Sequence, residues 1–168
     1  MTAINLATCP TRHEPDVVAE VLDQHRRMDA LCAMLERIAD ELPRACPTRC
    51  RRVSALLETF VAAHHRYEEP VLAELLAAEE ISRGGALLSR IIAQHHEEEG
   101  LAQEILLALE PLCEGRAVKT PETLGYMLRC FFNNCRRSML VEELALQAVL
   151  GGLPAPRRLP RAAPVQPD

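Results

Sequence analysis

The sequence predicts an all-α protein, an antiparallel up-and-down four-helix bundle, on three observations. Apolar residues recur at helical spacing in four blocks of similar length; proline, glycine or polar clusters bound each block; and no segment keeps the period-2 alternation of a half-buried strand. Helices of similar length joined by short loops pack most simply as an up-and-down bundle, here about 40 Å long at about 1.5 Å per residue. A chain of 168 residues with 48% hydrophobic content suits one compact domain with a sizeable core.

The first helix is expected over residues 15–43, opening at Pro15, where a missing N–H costs nothing. Its run VVAEVLDQHRRMDALC places apolar pairs at 17/18 and 21/22 ahead of Gln24 and His25. Positions three, four and seven apart share a helix face, so His25 points inward. The second helix, 47–76, opens at Pro47 and carries the inward row Val53, Leu57, Phe60, His64, Glu68, Val71, Leu75. His64 and Glu68 are therefore one turn apart on the core face, whereas His65 and Glu69 lie beside the row and are expected to be partly solvated.

The third helix, 84–112, echoes the first. Its run LLSRIIAQHHEEEGLA has apolar pairs at 87/88 and 91/92, then Gln94 and His95. His95 points inward, and His96, turned by roughly 100°, ranks behind it. Glu98 stands where the echo in the first helix has Met28; it is a candidate carboxylate ligand, although within HHEEEG it reads rather as part of a solvated charge run. The fourth helix, 121–150, starts at Pro121 behind Thr120 as N-cap, and glycines 151 and 152 end it. Its inward row is Leu124, Met127, Phe131, Cys135, Ser138, Glu142, Val149, so SMLVEE repeats HHRYEE with serine in place of the first histidine.

Antiparallel packing brings the early part of helices 1 and 3 level with the late part of 2 and 4. Counted from that level, His25, His64, Glu68, His95, Ser138 and Glu142 spread over about four residues, or about 6 Å, and so fall in one layer. An ionised carboxylate buried without a partner is very costly, so two inward glutamates facing three inward histidines imply mutual pairing or a cation. A lone inward histidine is ordinarily a hydrogen-bonded core residue; a co-planar set with an i, i+4 His–Glu pair favours metal binding over a metal-free polar layer.

The order of these residues resembles the hemerythrin-like HHE cation-binding domains, whose pattern is a histidine on helix 1, H-x-x-x-E on helix 2, a histidine on helix 3 and a second H-x-x-x-E on helix 4. His25, His64 with Glu68, and His95 match the first three elements, and the doubled glutamates at 68/69 and 142/143 match the flanking text. The resemblance spans about residues 15–150. It implies a non-haem di-iron centre bridged by Glu68 and Glu142 that reacts with or senses dioxygen, nitric oxide or iron itself, with a di-iron oxidase or peroxidase-like enzyme as the alternative. The departure is Ser138, at the position of the fourth-helix histidine, because a neutral hydroxyl is a poorer ligand than imidazole. Three readings stay open: two irons with a water in the gap, one metal, iron or zinc, or a metal-free interaction module kept for its fold. Cys135, one turn before Ser138, is a candidate thiolate ligand, against which stands the frequency of buried cysteine as a small apolar residue.

The rest of the chain narrows the classes. No window approaches the roughly 18 apolar residues of a membrane span, and MTAINLATCP has no basic region followed by an apolar stretch, so a soluble, cytoplasmic protein is expected. Seven cysteines at irregular spacing argue for reduced thiols. A net charge of -5 offers nucleic acid no footprint. Residues 1–14 are expected to be an N-terminal extension. The segment 151–168, GGLPAPRRLPRAAPVQPD, has five prolines and is expected to be a mobile tail. The repeated CPTRH and CPTRC, at 9–13 and 46–50, resemble a Cys3His zinc set, but they start helices 1 and 2 at opposite ends of an antiparallel pair. There is no glycine-rich phosphate loop and no Ser/His/Asp arrangement, so any catalysis is metal chemistry.

Overall fold

Four helices, α1 (Glu14–Glu41), α2 (Pro47–Ala78), α3 (Gly84–Cys113) and α4 (Pro121–Leu150), make up the protein, and their bounds differ from the expected ones by at most two residues. The computed structural model describes residues 14–78, 84–116 and 119–150, among which there is no strand. The expected extension, apart from Glu14, and the expected tail lie outside these residues.

Local chemistry explains the ends. Pro43 disfavours helical geometry at Leu42, so α1 stops at Glu41 instead of 43. Thr120 caps α4 as expected, its Oγ1 accepting the Thr123 N–H at 3.2 Å. At the end of α3, Gly115 takes φ of 75° while the N–H of Arg116 reaches back to the Pro111 carbonyl and that of Gly115 to Leu112, a Schellman closure that a side chain would strain. Where α2 gives way to α3, a Cβ on Gly84 would stand 2.9 Å from the Leu76 carbonyl oxygen, so glycine permits the close approach of the two helices.

The helices run up and down. Passing along α1 from His25 through Asp29 and Glu36 to Asp40, the partners on α4 retreat from Glu143 through Arg136 to Arg129. α2 and α3 oppose each other likewise, with Arg51 reaching the Cys113 carbonyl at one end and Glu69 reaching His95 further along. Each helix packs against two neighbours, and α2 also touches α4 across the bundle. No helix among the described residues is long and apolar enough to cross a membrane.

The interior is not one continuous apolar column. A large cluster fills one part, including Leu35, Ile38, Val53, Leu57, Ile105, Leu128 and Phe131. A smaller one fills the other, with Val18, Val21, Leu72, Leu75, Ile91 and Leu146. Each such side chain, fully buried, contributes roughly 1.5–3 kcal/mol. Between the clusters lie His25, His64, His65, Glu68, His95, Glu98, Ser138 and Glu142, all buried. Those polar groups yield no hydrophobic gain and destabilise the fold unless they are partnered.

The inward rows differ in detail from the sequence reading. On α2, Phe60 and Val71 are only half-buried while Val61 and Leu72 are fully buried. The buried face of α2 is thus rotated from the row that contains His64 towards the row that contains His65. The cause is the broad seam with α3, which covers that side of the helix.

Candidate metal centre

Each helix delivers one or two side chains to the layer. From α1, His25 directs Nε2 to Glu68 Oε1 at 2.8 Å and to Glu142 Oε2 at 3.3 Å, while Nδ1 meets Glu143 at 3.2 Å. From α3, His95 directs Nε2 to Glu142 Oε1 at 2.9 Å and Nδ1 to Glu69 at 3.1 Å. From α2, His64 packs edge-on against the His25 ring, with centroids 5.7 Å apart, and on its other side stacks against Phe60. From α4, Ser138 donates to Glu142 Oε1 at 3.1 Å.

Two groups of three buried donors have all their ligand atoms within 4.8 Å of one another: His25, His64 and Glu68, and Glu68, His95 and Glu142. Glu68 is common to both. The five residues singled out in the sequence are thus brought together, in two adjoining positions that share a carboxylate.

The protonation pattern follows from the neighbours. Burial by itself would lower the pKa of His25, but hydrogen bonds to the Glu142, Glu143 and Glu68 carboxylates outweigh it and push it up to about 11. His95 behaves alike: burial opposes, Glu142 and Glu69 prevail, and its pKa rises to about 9. At neutral pH both rings are charged in the metal-free protein, and each of their nitrogens donates. His64 has no such support. Burial and then the charged His25 beside it press it down to about 3, so it is neutral and keeps a free ring lone pair. Burial also acts to raise Glu142, yet its bonds from His25 and His95 hold it well below the usual carboxylate range. Glu68 goes the other way, pushed up chiefly by burial.

A cation fits this arrangement. His64 Nδ1 and Glu68 Oε2 are buried without a hydrogen-bond partner, although His64 Nε2 lies 3.2 Å from that same oxygen; the approach lacks hydrogen-bonding geometry. A neutral imidazole and a carboxylate, adjacent and buried with hydrogen-bonding capacity left over, form the kind of donor pair a divalent metal takes.

Two expectations need correction. His65, expected to be partly solvated, is buried at 2% exposure, and Glu98, expected in a solvated charge run, is equally buried. His65 stacks on His95 with parallel rings 4.0 Å apart; its Nε2 lies 3.4 Å from Glu98 and its Nδ1 3.1 Å from Glu99. The sequence signal was the pair of i, i+4 repeats, His65 with Glu69 on α2 and His95 with Glu99 on α3, which cross-connect when the helices run antiparallel. Glu69 and Glu99 are the partners those repeats supply, whereas Glu143, which meets His25, has no such repeat in the sequence to signal it. His96, ranked behind His95, is exposed. Cys135 is buried, and its thiol pKa is raised well above the ordinary value by a hydrogen bond with Cys32, by burial and by Glu98. It remains a protonated thiol and belongs to neither donor group. Cys46 and Cys50 also belong to no such group among the described residues, and Cys9 and His13 lie outside those residues.

A helical bundle whose buried layer gathers histidines and carboxylates from all four helices defines a cation-binding four-helix protein. The hemerythrin HHE cation-binding domain family matches the chain over residues 16–150, and the chain belongs to that family. Comparison with curated proteins and with solved structures gives no match.

Proposed function

We propose that this protein is a non-haem iron-binding protein of the hemerythrin type, whose centre binds or senses a small gas, dioxygen or nitric oxide, or iron itself. The observation that carries the reading is the pair of three-donor groups joined at Glu68, enclosed between two apolar clusters and containing unsatisfied donor atoms. His25, His64, Glu68, His95 and Glu142 would hold the metal. Bound iron would supply a redox-active Lewis acid. Metal binding through Nε2 of His25 and His95 would require those nitrogens to be deprotonated, so uptake would release protons and tighten as pH rises. The surrounding apolar residues keep bulk water from the carboxylates. Zinc suits the same donors when iron is scarce.

The test is metal content. Protein purified anaerobically without chelators and titrated with Fe(II) is expected to take up more than about half an equivalent per chain, since two adjoining groups of buried donors share Glu68 and leave donor atoms unsatisfied. A folded preparation that retains neither Fe(II) nor Zn(II) after reconstitution overturns the reading.

A second reading, an oxidase or peroxidase-like enzyme, is favoured by one observation. Ser138, small and buried, stands beside Glu142 where the family pattern has a histidine, which leaves a position without a strong nitrogen donor. Catalytic turnover of peroxide or oxygen by the iron-loaded protein separates it from the first reading.

A further inference from the structure

Three glutamate doublets occur at the level of the layer, and in each the two members do different work. Successive helical residues are turned by about 100°, so when one faces the core the next faces the seam with a neighbouring helix. Glu68, Glu98 and Glu142 are the inward members, all buried. Glu69, Glu99 and Glu143 are the seam members, with side-chain exposures of 30%, 36% and 27%. Every seam member meets the Nδ1 of a histidine on another helix: Glu69 meets His95, Glu99 meets His65, and Glu143 meets His25, all at 3.1–3.2 Å. In each case Nε2 is the nitrogen that faces inward.

An imidazole ring has a broad, roughly two-fold torsion about its last side-chain bond, so either nitrogen can be presented to the core. A carboxylate fixed behind the ring removes that ambiguity. It accepts a hydrogen bond from Nδ1–H, which keeps the proton on that nitrogen and leaves the Nε2 lone pair as the ligand, and it raises the basicity of that lone pair.

We propose that Glu69 and Glu143 are positioning residues of the metal centre, which hold His95 and His25 from neighbouring helices in the tautomer whose Nε2 faces the cation. The inference rests on the metal-binding reading above. Glu99 provides the internal comparison, because it grips His65 in the same way, but the Nε2 of His65 faces Glu98 and not the shared carboxylates. The seam glutamates are partly in water, where an ion pair adds little to stability, so their truncation leaves the bundle folded.

The experiment measures Zn(II) affinity of the full chain by competition with a chromophoric chelator, together with proton–nitrogen NMR of the histidine side chains. In the Zn(II)-loaded wild type, His25 and His95 are expected to keep Nδ1–H and to lack the Nε2 proton. Glu69→Ala and Glu143→Ala are each expected to lower Zn(II) affinity by about 10–100-fold and to lose the slowly exchanging Nδ1–H signal of His95 and His25 respectively. Glu69→Gln and Glu143→Gln should recover most of both readouts, because the amide oxygen still accepts. Glu99→Ala should shift affinity by no more than about threefold, far less than loss of a supporting bond to a ligand. Wild-type binding with the Glu69 and Glu143 variants unaffected overturns the positioning role alone, as does an equal loss in Glu99→Ala. Wild-type failure to bind Zn(II) or Fe(II) overturns the metal reading, and this role with it.

Discussion

His95 and His65 lie face to face at 4.0 Å with their planes 2° apart, and each is gripped from behind by a glutamate of the other's helix. The wiring of the two is nearly the same, but their surroundings differ. His95 opens onto Glu142, with Glu68 within ligand distance and His25 beyond, whereas His65 opens onto Glu98, which lies beside the Cys135 thiol. The comparison teaches that a gripped histidine with an inward carboxylate is not yet a metal position. The surroundings decide: Glu68 from α2 joins Glu142 within reach of His95, with His25 from α1 beyond, whereas α1 and α4 bring the Cys32 and Cys135 thiols to the half around Glu98.

The sharpest way to break this comparison is to remove each α2 histidine in turn. His64→Ala is expected to lower Zn(II) or Fe(II) affinity by at least about 100-fold, the upper end of what even a supporting residue is worth. His65→Ala leaves a cavity in the stack and so should cost stability, while metal content by elemental analysis stays near that of the wild type. Equal losses of metal would mean that the two halves form one site.

A second prediction uses charge in the metal-free protein. The raised pKa values of His25 and His95, about 11 and 9, lie above an unfolded value near 6.5, so their stabilisation is complete below that value and is lost as pH rises through 9 to 11. His64, lowered to about 3, has the opposite sign: its contribution is present above 6.5 and is lost as pH falls towards 3. The lowered Glu142 acts on that same acid side. Denaturant unfolding across pH should therefore show a maximum near 6.5, declining as pH rises towards 9 and 11 and again as pH falls towards 3. A stability that climbs steadily through pH 10 would contradict the pairing described for His25.

The smallest effect is expected at the other half. Glu98→Gln keeps the shape and one acceptor while removing the charge, so it should change unfolding free energy by about 1 kcal/mol or less and leave metal content unchanged. Loss of metal in that variant would extend the centre to His65 and Glu98.

Much of this was legible in the residues. Pro47, Pro121 and the Thr120 cap mark helix starts by local chemistry that tertiary packing does not alter. The inward positions of His25, His64, Glu68, His95, Ser138 and Glu142 follow from period and depth, which an antiparallel bundle translates directly into proximity. His65 and Glu98 were not legible in that way. A residue one step from the inward row sits at the edge of the buried arc, and only the closeness of the neighbouring helix decides whether water reaches it. The α2–α3 seam is close enough to bury both, a property of two helices together that neither pattern carries alone. The shared role of the doubled glutamates was hidden likewise, since each seam glutamate serves a ring on a different helix.

The polar layer also divides the molecule along its length. Because the large and small apolar clusters meet only across paired charges, the coupling between them depends on groups that water can serve equally well once a gap opens. The half built on Val18, Leu72, Ile91 and Leu146 has the smaller apolar reserve. In the metal-free chain its amides should exchange with solvent through partial openings that leave the half around Phe131 and Leu128 protected. Under the proposed metal binding, cations held by the two groups that join at Glu68 would act there as a rivet, and the two halves would then open as one unit.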